Sequence, residues 1–212
     1  VAIAIMLAEI SNKWVKKITQ SIVILPHFMS WTIVSMLSVA ILSANGVVNQ
    51  LITMVGGKTI EFYNTPSVWP AILVILKVWQ GAGFGSIVYL ATITGIDASI
   101  YEAAAVDGAS KTQCIFKVTL PMLKNTIIML TIMSVGKIFN GDFGMIYAMV
   151  GSNSILYPTT DVIDTYLFRQ LLENPSMGQT AAVGLIQSIL GFGFVVLCNK
   201  VANKWSPESA LF

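Results

Sequence analysis

Charge is scarce in this chain. Aspartate, glutamate, lysine and arginine together make up 10% of its 212 residues, against about 25% in a typical soluble domain. Hydrophobic residues reach 55%, with a mean hydropathy of +0.77, which excludes a water-soluble globular domain. Histidine occurs once, as His27, and cysteine twice, as Cys114 and Cys198. Neither has metal-ligand company, so no metal site or disulfide framework is expected. His27 and Ser86 lack the glycine-flanked setting of a nucleophile, and no catalytic residue is expected. No Asp or Glu falls in the middle of an apolar stretch, which argues against the ion relay of a coupled carrier. Gly56-Gly57-Lys58-Thr59 lacks the leading glycine of a phosphate loop, because position 52 is Ile52. Gly81, Gly83 and Gly85 lack the third glycine of a dinucleotide fingerprint and lie in an apolar run, where close helix packing or a kink is the expected use. No cofactor is expected, and the net charge of +2 gives no case for nucleic acid.

What is present is a series of long apolar runs. Residues 18–42, 69–94, 122–140 and 179–199 are predicted to span a membrane, most having the roughly 17 to 25 residues this requires. Residues 1–8 read as part of a further span. The chain opens on Val1 inside an apolar run, so an N-terminal part with at least one more span is expected, and the 212 residues are treated as one transmembrane domain. Eight of the twelve basic residues, Lys13, Lys16, Lys17, Lys111, Lys117, Lys124, Lys200 and Lys204, fall on one side if the spans alternate. The positive-inside rule then makes the 96–121 loop and the C-terminus cytoplasmic, with loop 141–178 external. Lys77 and Lys137 lie near the external ends, where snorkelling to the interface is the expected behaviour. The fold class is all-α, a polytopic transmembrane helical bundle.

The 96–121 loop is polar and helix-forming. Asp97 suits a helix N-cap, Ala103, Ala104 and Ala105 propagate a helix of about 10 residues, and Gly108 can end it in the left-handed conformation. Ser110 with Gln113 predicts a capping box for a second helix, and Pro121 fits the first turn of the next span. Glu102-Ala103-Ala104, Asp107-Gly108-Ala109, Val118, Leu120 and Pro121 resemble the EAA motif of ABC importer permeases. The resemblance implies the MetI-like core of a type I importer in a bacterial cytoplasmic membrane. It implies that Glu102, Ala103, Ala104, Asp107, Gly108, Leu120 and Pro121 couple the chain to an ATPase, Glu102 as polar anchor and Gly108 as hinge. It implies as partners a second permease, two ATP-binding cassette subunits that hydrolyse ATP, an extracytoplasmic solute-binding protein and membrane lipid.

Residues 25–31, 161–169 and 181–185, with the Leu211-Phe212 ending, resemble the carbohydrate-importer subgroup. This resemblance implies a sugar or oligosaccharide substrate. A path for sugar needs aromatic faces and uncharged hydrogen-bonding groups, and Trp79, Gln80, Tyr89, Asn140, Phe143 and Tyr147 offer them. An importer of amino acids, peptides or oxyanions is the neighbouring reading, and an ion-coupled secondary transporter the reading from another class. The segment from Thr159 to Asp164 is expected to start a helix at the outer face.

Overall fold

The computed structural model describes residues 1–173 and 177–205 of the chain, and these are helical and turn structure with no strand among the described residues. The Leu211-Phe212 ending lies outside the described residues. Helix α1 covers Ala2–Ala8 and α2 Lys13–Ile24, the latter started by Asn12, whose side chain accepts from the N–H groups of Trp14 and Val15. A 3-10 turn, Leu25–Phe28, follows. Helix α3 covers Trp31–Leu42, capped by the Ser30 hydroxyl on the Ile33 N–H, and α4 covers Val47–Met54. Helix α5 is a single run, Trp69–Thr94, of 26 residues, about 39 Å at 1.5 Å per residue. Then come α6, Ala98–Val106, α7, Lys111–Cys114, and α8, Leu120–Val135. Helices α9, Phe143–Val150, α10, Tyr157–Thr160, and α11, Ile163–Glu173, precede the last, α12, Met177–Trp205.

Four of these stretches are long and apolar enough to cross a membrane: Trp31–Met54, Pro66–Thr94, Lys111–Val135 and Gly178–Lys204. Two differ from the runs expected from hydropathy. The run 18–42 is not one helix. Pro26 has no N–H to donate and its ring opposes a continued α-helical turn, while Ser30 in an extended conformation starts a new helix. The run 122–140 ends as a helix at Val135 and begins much earlier, because α7, a π-helical stretch at Ile115–Thr119 and α8 join without a break. Pro121 therefore does not open a separate helix. It sits just after the π-helical residues, whose wider hydrogen-bond spacing accommodates a position that cannot donate.

The chain forms two compact units. Among the described residues the first comprises 1–26, 81–139 and 188–205, and the second comprises 27–80, 140–173 and 177–187. In the first, Ala4, Leu7, Leu90, Ile93 and Leu123 form the buried cluster. Small residues allow close approach there. A Cβ on Gly83 would lie 1.9 Å from the Val23 carbonyl oxygen, and one on Gly191 would lie 2.8 Å from that of Gly136. The packing use expected of the α5 glycines thus holds at Gly83, whereas Gly81 and Gly85 have open space beside them.

The second unit is built on Val34, Trp69, Leu73, Met145, Ile146, Met149, Val150 and Leu156. Trp69 is fully buried, and its indole N–H donates to the Phe62 carbonyl at 2.8 Å, satisfying its one polar atom. Buried Asn49 holds the connection after α4 by donating to the carbonyls of Ser43 and Ile60 and accepting from the Ile60 N–H at 2.8 Å. Asn153 reaches the Tyr63 carbonyl and Thr159 the Pro66 carbonyl, at 2.9 and 2.7 Å. Residues 141–173 are accordingly mostly helix, α9 to α11, and not a simple loop. Segments without regular periodicity are held by single side chains that saturate backbone groups far away in sequence.

Candidate functional site

Two polar regions interrupt the apolar chain, one in each unit. In the first unit, α6 is nine residues long. Asp97 starts it by accepting from the Ser99 N–H at 2.9 Å, and the hydrogen bonds from Ser99 hold the Asp97 carboxyl below its usual range. Its far end carries two reciprocal backbone bonds, Ala109 N–H to Ala104 C=O at 2.9 Å and Gly108 N–H to Ala105 C=O at 3.1 Å. This six-to-one and five-to-two pair is the Schellman termination, and Gly108 sits in the left-handed region at φ 76° that it needs. The second helix begins with the full capping box: the Gln113 N–H donates to the Ser110 hydroxyl and the Ser110 N–H to the Gln113 side-chain oxygen.

Local bonds thus saturate both ends of α6, leaving its outer face to water. Glu102, Ala103, Asp107 and Gly108 are exposed, Ala104 is half-buried, and Val106 is 88% exposed. A stripe of small and apolar residues beside two carboxylates suits a groove on another molecule. The helix is tied to the chain's own bundle at one hydroxyl pair, Tyr101 with buried Thr119 in the π-helical stretch, at 3.1 Å. Leu120 is half-buried and Pro121 exposed at the start of α8.

In the second unit, Phe143 stacks on Tyr147 with ring centres 5.2 Å apart, and Phe168 meets both edge-on at 5.0 and 5.1 Å. Asn140 and Phe143 line a cavity of about 420 Å³ together with Asp164, Phe168, Thr180 and Gln187. Trp79 and Gln80 also belong to this unit. Gln80 is buried and donates to the Met29 carbonyl at 2.8 Å, so its amide already serves the fold, while Trp79 is 44% exposed. Tyr89 belongs to the first unit and packs against its apolar cluster. The six residues expected to line a sugar path are therefore not one constellation: Asn140, Phe143 and Tyr147 are brought together, and Phe168 joins them.

Four charged side chains in the second unit pair with one another. The Lys77 ammonium, expected to snorkel alone, forms an ion pair with Asp142 and lies 5.6 Å from the Trp31 ring centre. Asp142 also caps α9 through the Met145 N–H. The Arg169 guanidinium grips Asp161 with two N–H groups and lies 3.9 Å over the Tyr157 ring. Burial pushes the Asp161 carboxyl up, but bonds from Arg169 and Thr165 and the guanidinium charge outweigh it and hold the group below its usual range. Asp161, just before α11, and Thr165 and Arg169 within it recur every four residues, a spacing visible in the sequence. Asp164 had no such signal, since its partners Gly141 and Gln187 are each 23 residues away.

These features match a known family. Residues 1–205 fit the model of the binding-protein-dependent transport system inner membrane component family. The chain belongs to that family. It is 32% identical over 209 residues to the polygalacturonan/rhamnogalacturonan transport system permease protein YteP of Bacillus subtilis, a match covering 98% of this chain and 64% of that protein. It is 30% identical over 154 residues to the arabinooligosaccharides transport system permease protein AraP of Halalkalibacterium halodurans, over 71% of this chain and 47% of that one. The chain thus spans less than two thirds of the length of these curated relatives. Its fold matches a chain of a bacterial alginate ABC transporter, solved with an alginate pentasaccharide-bound periplasmic protein, at a TM-score of 0.90 and 34% identity, covering 97% of this chain and 71% of that one. The expected all-helical permease fold stands, and family membership with four membrane-capable helices makes this a membrane-integral protein.

Proposed function

We propose that the chain is the permease subunit of an ATP-binding cassette importer for a sugar or oligosaccharide delivered by an extracytoplasmic binding protein. ATP is hydrolysed by two separate cassette subunits, and a second permease completes the path. The observation that carries this reading is the α6 to α7 segment: a helix pair saturated at its own ends that still exposes Glu102, Ala103, Asp107 and Gly108. Such a surface gains nothing for the isolated chain and is built to be covered. Its tie through Tyr101 and Thr119 to the helix continuing into α8 supplies a route by which movement of a docked ATPase reaches a membrane span.

The sugar substrate is supported by the Phe143, Tyr147 and Phe168 cluster beside hydrogen-bonding side chains, which suits a solute with apolar ring faces and many hydroxyls, and by the oligosaccharide names of the relatives. The bias of basic residues orients the 96–121 loop and the C-terminus to the cytoplasm, with α9 to α11 external. Thiol labelling tests the orientation. Cys114 should react with a membrane-impermeant reagent only in inverted vesicles, whereas a Ser152→Cys variant reacts in intact cells. Equal labelling of both from outside overturns it. Uptake by the reconstituted complex tests the substrate: Asn140→Leu should slow sugar uptake roughly tenfold, the effect of about 1–3 kcal/mol for an unmatched hydroxyl. ATPase stimulation by an amino-acid-loaded binding protein and by no sugar-loaded one would remove the carbohydrate reading while leaving the importer.

A further inference from the structure

The cavity of the second unit has an unbalanced charge pattern. Among its lining residues Asp164 is the one charged group, accompanied by the amides of Asn140 and Gln187, the Thr180 hydroxyl and the rings of Phe143 and Phe168. Among the described residues no lysine or arginine lines it. Nor does the rest of the unit hold a cation in reserve for it, because Lys77 is committed to Asp142, Arg169 is committed to Asp161, and Lys58 lies outside the lining. Asp164 is held in place at both oxygens. Oδ2 accepts from the Gly141 N–H at 2.5 Å, and Oδ1 faces the Gln187 amide at 3.5 Å. A carboxylate offers about four acceptor sites, so these two contacts orient it without exhausting it.

We infer that this cavity receives one uncharged, hydroxyl-bearing sugar ring, with Asp164 accepting its hydroxyl protons and turning away a ring that carries a carboxylate. The inference rests on the carbohydrate reading above and names the charge class within it. A sugar hydroxyl donating to an ionised carboxylate makes a charge-assisted hydrogen bond, stronger than one to a neutral acceptor. A uronate ring in the same place sets two negative charges together in a partly dry space with no lining cation, which costs more there than in water. The aromatic pair accepts the apolar face of either ring, so selection falls on Asp164. This chain is thereby assigned a neutral glycan ring, in contrast to two similar proteins named for acidic polysaccharides, alginate and polygalacturonan.

The test uses the complete importer in proteoliposomes with its own binding protein saturated by each sugar, so that the binding protein's preference drops out. Uptake of the neutral galactotriose and arabinotriose is compared with that of trigalacturonate. Wild type should favour a neutral trisaccharide by roughly tenfold or more, on the scale of one uncompensated like-charge contact. Asp164→Asn should slow neutral uptake and shrink that ratio severalfold. Thr180→Lys adds a lining cation without touching the bonds of Asp164, and should move the ratio toward trigalacturonate even if Asp164→Asn does not assemble. Faster uptake of trigalacturonate by wild type, or a ratio that Thr180→Lys leaves unchanged, overturns the inference. Uptake of no saccharide, with transport of another solute class, would instead refute the carbohydrate reading.

Discussion

The 96–121 and 140–187 segments are both polar interruptions in an apolar chain, yet they are held in opposite ways. In the first, apart from the Tyr101 and Thr119 pair, the hydrogen bonds named above are short-range: Asp97 to Ser99, Ser110 to Gln113, Gly108 and Ala109 back to the preceding turn. In the second they cross long stretches of chain, as from Asp164 to Gly141 and from Asn153 to Tyr63. A segment that satisfies itself can present its face to another molecule without loss. A segment that borrows partners from distant residues becomes a rigid wall, suited to lining a cavity. Self-sufficiency marks the proposed docking element, and cross-linking marks the proposed solute-facing one.

The sharpest way to break this contrast is at the exposed helix. Glu102→Lys reverses the anchor charge, and Gly108→Val forces a branched side chain into the left-handed region at about 1–2 kcal/mol. Each should reduce co-purification of the ATPase subunit, or ATP-driven uptake, by at least roughly tenfold, since 1.4 kcal/mol is a factor of ten. Thermal stability of the permease should hardly change in Glu102→Lys, while in Gly108→Val the strain should appear as local fraying at the end of α6. Normal uptake in both variants would take the helix out of the mechanism.

The opposite pattern is expected at Gly141. A Cβ there would lie 2.5 Å from the Val162 side chain and 3.0 Å from the Asp164 carboxylate. Gly141→Val should cost about 1–3 kcal/mol of stability by overpacking, lowering the melting temperature while ATPase attachment survives. A variant as stable as wild type would mean that the wall is soft.

The Asp161 and Arg169 pair gives a smaller, pH-dependent effect. Because the folded Asp161 carboxyl titrates below its unfolded value, its stabilisation is complete above about pH 4, the ordinary range of a free aspartate. It is lost as pH falls from there through the lower folded value. The protection of α10 and α11 amides, corrected for the intrinsic exchange rate at each pH, should therefore fall on acidification through that window. Asp161→Asn should abolish the dependence, and an unchanged pH profile would show that the pair contributes nothing there. Ser110→Ala should have the smallest effect, about 1 kcal/mol for the lost cap, visible as faster exchange in α7 alone.

Legibility followed the range of the interactions. The cap at Asp97, the left-handed Gly108 and the Ser110 capping box were readable because each involves residues within a few positions. The break at Pro26 was equally local but was hidden under continuous apolar composition. Pro121 misled in the other direction: a proline that suits a helix start also tolerates a place just after a π-helical stretch. The pairing of Lys77 with Asp142, 65 residues away, left no trace that spacing could reveal. Trp79, Gln80, Tyr89, Asn140, Phe143 and Tyr147 were grouped by chemistry, and that chemistry could not say that Gln80 is spent on the Met29 carbonyl or that Tyr89 packs in the other unit.

By itself, then, the order of residues determined that this chain is helical and membrane-integral, where its helices cap near the EAA-like segment, and which family it belongs to. Those properties depend on composition, hydrophobic run length and contacts within one or two turns. Only the tertiary structure decided which polar side chains remain available and which are consumed. That outcome rests on pairings such as Asp164 with Gly141 and Gln187, whose partners lie far along the chain. No periodicity records such a pairing, because it exists only after helices built from separate segments have packed.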